Sequence, residues 1–383
     1  MCIGEKIMLY NEFKGLQLPA LGMGCMRLPG DGYAKPRIEE IETEQMIDYC
    51  MQNGVNYFDT AWGYHSGNSE PLIGRLLQKY PRGSFYLASK FPGYDLSNLG
   101  KAEEIFEKQL EKCRVDYFDF YLFHNVCELN IDGYLDDEKY GDFSYLLKQK
   151  QNGRIHFLGC SVHGDIHVLK RFLEAYGEHM DFCQIQLNYL DWEFQDAKAK
   201  VELLKKYNIP VWVMEPLRGG KLANIDKKYA DRLHALRPNE SMPAWGFRFL
   251  QSIPEVKVVL SGMSSLAQLK ENINIMSAHK TLTETEWNEL QAIANDMASA
   301  NALPCTGCRY CVDHCPMELN IPWIIDMFNE IKLTTGVVPV IRMRSLPSDK
   351  QPSACLQCKA CEAVCPQQIK IADMMQTFAE KLN

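Results

Sequence analysis

The sequence predicts an α/β protein: a (β/α)8 barrel over residues 1–298, followed by a small, mainly α-helical domain over 299–383. Three observations carry this. Short apolar runs alternate with amphipathic stretches eight times between residues 18 and 276, which matches such a barrel in count and length. A doubly wound sheet would show a glycine-rich turn after its first strand. Gly22-Met23-Gly24 lacks both the third glycine and the helix start. Beyond Pro304, one cysteine spacing occurs twice.

Residues 18–28 read as the first extended run and 42–53 as the helix behind it. Runs 55–61, 85–90, 117–125, 155–163, 182–189, 210–216 and 256–263 supply the remaining strands. Helical patterns lie between them at 103–113, 143–151, 166–176, 197–207, 243–252 and 266–276, with Gly153, Gly177 and Asn208 as punctuation. The acidic run 132–138 reads as a solvated loop. Thr283 and Glu286 form a capping box that opens a helix over 283–297. In the second domain each Cys-Pro is followed by a helical pattern, 321–331 and 371–382. The insert 332–353 is Pro- and basic-rich with little periodicity.

Hydrophobic residues make up 46% and charged residues 23%, ordinary values for a soluble globular chain. A net charge of −8 argues against a nucleic-acid footprint, which needs a basic face. No apolar stretch approaches the ~20 residues of a membrane span, and residues 1–14 lack a secretory pattern. Cys2, Cys25, Cys50, Cys113, Cys127, Cys160 and Cys183 are scattered, which suits a reducing cytoplasm rather than a disulfide framework.

The remaining cysteines are not scattered. Cys305, Cys308, Cys311 and Cys315 before Pro316 read C-x2-C-x2-C-x3-C-P, and Cys355, Cys358, Cys361 and Cys365 before Pro366 repeat it. Four thiolates so spaced can wrap a 4Fe-4S cluster, with the fourth cysteine of a run reaching the other cluster. The expected sets are Cys305, Cys308, Cys311 and Cys365 around one, and Cys355, Cys358, Cys361 and Cys315 around the second. Zinc is the alternative, but structural zinc sites pair two C-x2-C knuckles across a longer gap.

Four titratable residues fall at expected strand ends of the barrel. They are Asp59 in Phe58-Asp59-Thr60-Ala61, Tyr64 in the loop after it, Lys90 in Ala88-Ser89-Lys90, and His124 in Leu122-Phe123-His124-Asn125. Any one alone reads as structural. Their order and placement, with Asn68-Ser69-Glu70 opening the next helix, resemble the catalytic tetrad of the aldo-keto reductases over residues 15–280. The resemblance implies that Tyr64 is the general acid in reduction of a carbonyl substrate to an alcohol, or the reverse. It makes Lys90 the ammonium that lowers the Tyr64 pKa from ~10, with Asp59 pairing that ammonium and His124 binding the carbonyl oxygen. His65, His163, Trp62 and Tyr94 lie near the expected mouth with no role assigned.

The same resemblance implies NADP(H) or NAD(H). Ser161 and Gln184 match residues that hold the nicotinamide amide, although Val162 stands where the family often has asparagine. Met214 replaces the usual stacking aromatic, followed by Glu215. Pro216, Leu217 and Gly219 match the turn that approaches the pyrophosphate; Ser261, Gly262, Met263, Gln268, Glu271 and Asn272 match the adenosine end. Gln268 corresponds to the usual 2′-phosphate arginine, with Lys270 nearby, so the choice between the two cofactors stays open.

The whole chain resembles aldo-keto reductases that carry a carboxy-terminal ferredoxin-like domain. A nicotinamide yields two electrons as hydride, whereas a cluster takes one at a time, and a flavin normally joins the two regimes. Three readings follow: a carbonyl reductase whose clusters are structural or dock a partner; a flavin-linked or partner-linked reductase fed by a ferredoxin-type redox partner; or a non-catalytic redox-sensing platform. No flavin motif stands out, though the barrel's phosphate-binding loops could hold one. The intact tetrad argues against the third reading.

Overall fold

Eight parallel strands close into a barrel in the computed structural model, which describes residues 8–31, 36–305, 307–333 and 338–382. A hairpin of β1 (Tyr10–Phe13) and β2 (Leu16–Pro19) comes first. The barrel strands are β3 (Leu21–Gly24), β4 (Tyr57–Asp59), β5 (Tyr86–Phe91), β6 (Phe118–Val126), β7 (Ile155–Val162), β8 (Phe182–Gln186), β9 (Val211–Met214) and β10 (Val256–Ser261). They neighbour one another in chain order, and β10 pairs with both β9 and β3 to close the ring. Cys2 lies outside the described residues.

The single run expected over 18–28 is three pieces: β2, then β3, then a 3-10 turn at Cys25–Arg27. Proline has no amide to donate, so Pro19 is a natural end for β2. At Gly22, where β3 meets β10, a Cβ would stand 2.7 Å from a Leu260 methyl, so a larger residue would have to displace that side chain. The hairpin plugs the amino-terminal end of the barrel. Phe13 meets Trp212 and Phe157 edge-on, each with ring centroids 5.0 Å apart, within a buried cluster that includes Phe120 and Phe182.

Helices Ile166–Tyr176 and Leu266–Met276 have the expected bounds. In the first, the Asp165 side chain accepts from the amides of His167 and Val168, satisfying donors that the helix start leaves orphaned. Its apolar face (Val168, Leu169, Phe172, Leu173 and Tyr176) is buried. The capping box of Thr283 and Glu286 is present, and its helix, Glu284–Asn301, runs further than expected.

Two expectations change. The acidic run holds two short helices, Ile131–Leu135 and Asp137–Tyr140. Asp136 caps the second, and Asp137 accepts from the Phe143 amide, so the run is helical rather than a loop, while Asp132, Asp136 and Glu138 are exposed to solvent as expected. The insert over 332–353 also holds a helix, Val338–Arg344, too short for a periodic signal. Residues 334–337 within it lie outside the described residues.

The cysteine-rich module has its own core, where helices Ile321–Leu333 and Ile371–Leu382 pack through Ile324, Ile325, Phe328, Met374, Met375 and Phe378. It is tied to the barrel. Arg342 grips Glu128, in the loop after β6, with Nη2 at 2.5 Å and Nε at 3.1 Å from its two oxygens. Lys221, after β9, donates to the Lys332 carbonyl at 2.9 Å. These contacts set the module against the carboxyl ends of the strands.

Candidate active site and cluster cradles

Parallel strands present their carboxyl ends at one face, so β4, β5 and β6 bring Asp59, Lys90 and His124 together there. Tyr64 starts the turn after β4, and the chain reverses through His65 and Ser66, both with left-handed backbone. Lys90 is fully buried, and its Nζ donates to Asp59 Oδ1 at 2.6 Å, the Thr60 carbonyl at 2.7 Å and Tyr64 Oη at 3.1 Å. The His124 ring stands edge-on to Tyr64 and to Tyr94. A buried brace sits behind β5. Gln109 donates to the Lys90 carbonyl and to Glu70, and Glu70 also accepts from Ser89. The Ser69-Glu70 motif therefore positions the strand that carries the lysine.

Burial works against the Lys90 ammonium, but Asp59 and Tyr64 outweigh it and raise its pKa, so the lysine stays charged. Burial likewise pushes the Asp59 carboxyl up while Lys90 pulls it down; the 2.6 Å contact with a charged ammonium keeps the pair ionised. Lys90 pulls the Tyr64 pKa down, as expected, but does not carry it below that of an ordinary phenol. Burial pushes it up, Lys90 pulls it down, Asp59 pushes it up again, and the balance lies above the usual value. Burial first, then the charges of Lys90 and His163, hold His124 far below the usual imidazole range, so it is neutral.

Tyr64 and His124 open onto a cavity of about 960 Å³, at the upper end of the range for small-ligand sites. Every expected cofactor-contacting residue lines it: Ser161, Gln184, Met214, Pro216, Leu217, Gly219, Ser261, Gly262, Met263, Gln268, Glu271 and Asn272. Asp59 lines it too, whereas Lys90 lies behind. Gln184 Oε1 and Asn125 Oδ1 are buried there with no hydrogen-bond partner, and Ser161 Oγ accepts from the Asn125 amide at 2.8 Å. Unsatisfied amide oxygens beside a serine suit the carboxamide of a nicotinamide, so the residues fit that cofactor. At the other end Asn272 donates to Ser261 Oγ, and the Ser264 amide donates to Gln268 Oε1, which fixes that turn.

The sequence reading missed Asn125 and Arg27, both in the cavity wall. Asn125 follows His124 directly and has left-handed backbone, which asparagine tolerates well; its position beside a tetrad member was the available signal. Glu215, also left-handed, is 4.0 Å from Arg27. His163 and Tyr94 line the cavity. His65 does not: it is buried and accepts from the Leu28 amide. Trp62 lies under Lys112, whose Nζ is 3.6 Å from the ring centroid.

The eight motif cysteines surround two separate cavities in the crosswise sets expected. Cys305, Cys308, Cys311 and Cys365 line one, with Pro322 and Ile325; Cys355, Cys358, Cys361 and Cys315 line the other, with Ile371 and Met375. Four thiols around each cavity, closed by apolar side chains, are the donor set of a 4Fe-4S cluster. Burial pushes the Cys311 and Cys361 thiols up to about 11, with neighbouring cysteines adding to it, so a positive iron core is what would hold these sets as thiolates. The residues fit 4Fe-4S clusters.

A closed parallel barrel with this face, joined to paired four-thiol cradles, defines an oxidoreductase class. The family model for the aldo/keto reductase family matches residues 20–295, and that for a 4Fe-4S dicluster domain matches 304–369. The chain belongs to the aldo/keto reductase family and carries a 4Fe-4S domain behind the barrel. It is 26% identical to the uncharacterized oxidoreductase YqkF of Bacillus subtilis, over 72% of this chain and 93% of that one. It is 25% identical to L-galactose dehydrogenase of Arabidopsis thaliana, over 73% and 91%. Among solved structures, the thermostable aldo-keto reductase Tm1743 with the inhibitor epalrestat superposes with a TM-score of 0.62 at 22% identity, over 75% of this chain and 100% of that one. An aldo-keto reductase from Klebsiella pneumoniae in complex with NADPH gives 0.59 at 18%, over 75% and 95%. These structures share the barrel fold. Among the described residues no helix is long and apolar enough to cross a membrane.

Proposed function

We propose that the chain is an NAD(P)H-dependent reductase of a carbonyl substrate, or the corresponding alcohol dehydrogenase, with domains at 1–298 and 299–383. The observation that carries this reading is the Lys90 ammonium bonded to both Asp59 and Tyr64, with the phenol and the neutral His124 facing one cavity. A reduced nicotinamide, when bound, would supply hydride to the carbonyl carbon. Tyr64 Oη gives its proton to the oxygen as the C=O double bond becomes a C–O single bond. Lys90 stabilises the phenolate left behind, which water reprotonates. Neutral His124 orients the carbonyl oxygen without competing for the proton. Asn125, Ser161 and Gln184 hold the carboxamide.

The eight cysteines hold two clusters for one-electron transfer or for docking a ferredoxin-type partner. A second reading, in which a flavin or a substrate radical couples clusters to barrel, is favoured by one observation: the cysteine-rich module contributes to the wall of the cavity that Tyr64 faces. The test of the main reading is anaerobic NAD(P)H oxidation with an aldehyde panel. Tyr64→Phe is expected to lower turnover about 10²–10⁴-fold with cofactor affinity unchanged. Near-normal turnover in that variant would remove Tyr64 from the mechanism.

A further inference from the structure

The helix Val338–Arg344 belongs to the cysteine-rich module, yet Val338, Val340, Ile341 and Arg344 line the same cavity as Tyr64 and His124. Its position is fixed from both sides. Arg342, mostly buried, is locked to Glu128 of the barrel, and Lys221 of the barrel holds the Lys332 carbonyl just upstream. From the module side, Arg344 donates through Nη2 to the Leu382 carbonyl at the end of the last helix. The module therefore does more than follow the barrel: it closes part of the barrel's pocket.

The charges on that wall are uneven. Among the described residues, Arg27 has Glu215 as an acidic neighbour at 4.0 Å, and Asp59 is taken by Lys90. Arg344 lines the cavity with a carbonyl as its hydrogen-bond partner and, among the described residues, no carboxylate within ion-pair distance. A guanidinium has five donors in a rigid fork that matches a carboxylate, and one donated bond leaves most of that fork for another acceptor. Val340 and Ile341 beside it offer apolar surface. An apolar wall ending in an arginine recognises a compound with a hydrophobic body and an anionic end.

We propose that the cysteine-rich module forms part of the substrate pocket, and that Arg344 selects a carboxylate-bearing carbonyl compound or its alcohol. The assignment rests on the carbonyl-reductase reading above for the fate of the substrate, but not for its binding. The two are therefore separable. The probes are 4-carboxybenzaldehyde and 4-methylbenzaldehyde, titrated calorimetrically into anaerobic full-length protein saturated with NADP+, where no reduction can occur.

Wild type is expected to bind the carboxylate compound more tightly than the neutral one. Arg344→Gln keeps a donor for the Leu382 carbonyl but removes the charge, and should weaken the carboxylate compound about 10–100-fold. The neutral compound should change less than about threefold, and Arg344→Lys should recover part of the loss. Equal weakening of both probes, or no discrimination in wild type, overturns the assignment. So does a matching loss of NADP+ affinity, which would give Arg344 to the cofactor instead. Normal discrimination in binding, with no NADPH oxidation by either aldehyde, would leave Arg344 in place and sink the carbonyl-reductase reading.

Discussion

Lys90 is the residue on which the site turns, because it is a fully buried charge with three partners. Taking an ammonium out of water is tolerable only where its partners are fixed beforehand. Asp59 at 2.6 Å supplies most of that compensation. Removing one member of such a pair strands the other. Lys90→Met should therefore cost about 3–5 kcal/mol in urea unfolding, most of it restored when Asp59→Asn is added. If the double variant is as unstable as the single one, Lys90 stabilises the fold through packing rather than through its charge. The same pair explains why Tyr64 needs help. Burial alone would hold the phenol's proton tightly, and Lys90 is the nearest group that opposes it.

At the scale of elements, the barrel is built so that one end is plugged and the other is chemical. The hairpin puts Phe13 against Trp212 and Phe157 at the amino-terminal end, while the tetrad sits at the carboxyl ends of β4, β5 and β6. Stability and chemistry are thereby separated along the barrel axis. Phe13→Ala should cost about 3–5 kcal/mol by thermal or urea unfolding and leave cofactor affinity unchanged. A large drop in affinity would mean that the plug reaches the mouth.

Much of this was legible in the sequence. The apolar runs behind β4 to β10 and the repeated cysteine spacing are strong local signals, and the crosswise pairing follows from that spacing. The hairpin was not legible, because Tyr10–Phe13 is four residues long with one buried side chain, too short to carry a period. The helix Val338–Arg344 escaped for a related reason. Its buried residues, Pro339, Arg342 and Met343, do share one helix face, but seven residues with a proline and an arginine on that face make too short and too polar a pattern to read as a helix. Tyr64's raised pKa also escaped, since desolvation depends on what encloses the ring rather than on its neighbours in sequence.

The whole molecule joins the barrel's cavity to the cysteine cradles across an interface rich in buried charge. Arg218 and Asp191 are paired and fully buried on the barrel side, and Glu330 of the module is buried nearby. Burial pushes the Glu330 carboxyl up, while Arg342 and Arg218 pull it down. Burial outweighs both arginines, so the Glu330 carboxyl lies above its usual range. Arg342 and Arg218 come from different domains, and the wall of the barrel's cavity that Val338, Val340, Ile341 and Arg344 supply depends on how the two domains meet.

In the proposed reaction the hydrogen added at the substrate carbon arrives as hydride within the barrel, not as electrons from the clusters followed by a proton from water. Anaerobic reduction of 4-carboxybenzaldehyde with NADPH deuterated at C4, analysed by mass spectrometry of the alcohol, tests this directly. Deuterium is expected at the carbinol carbon from the cofactor face that is used, and none there from D2O when unlabelled NADPH is supplied. Deuterium entering that carbon from D2O, together with bleaching of the cluster absorbance, would contradict it.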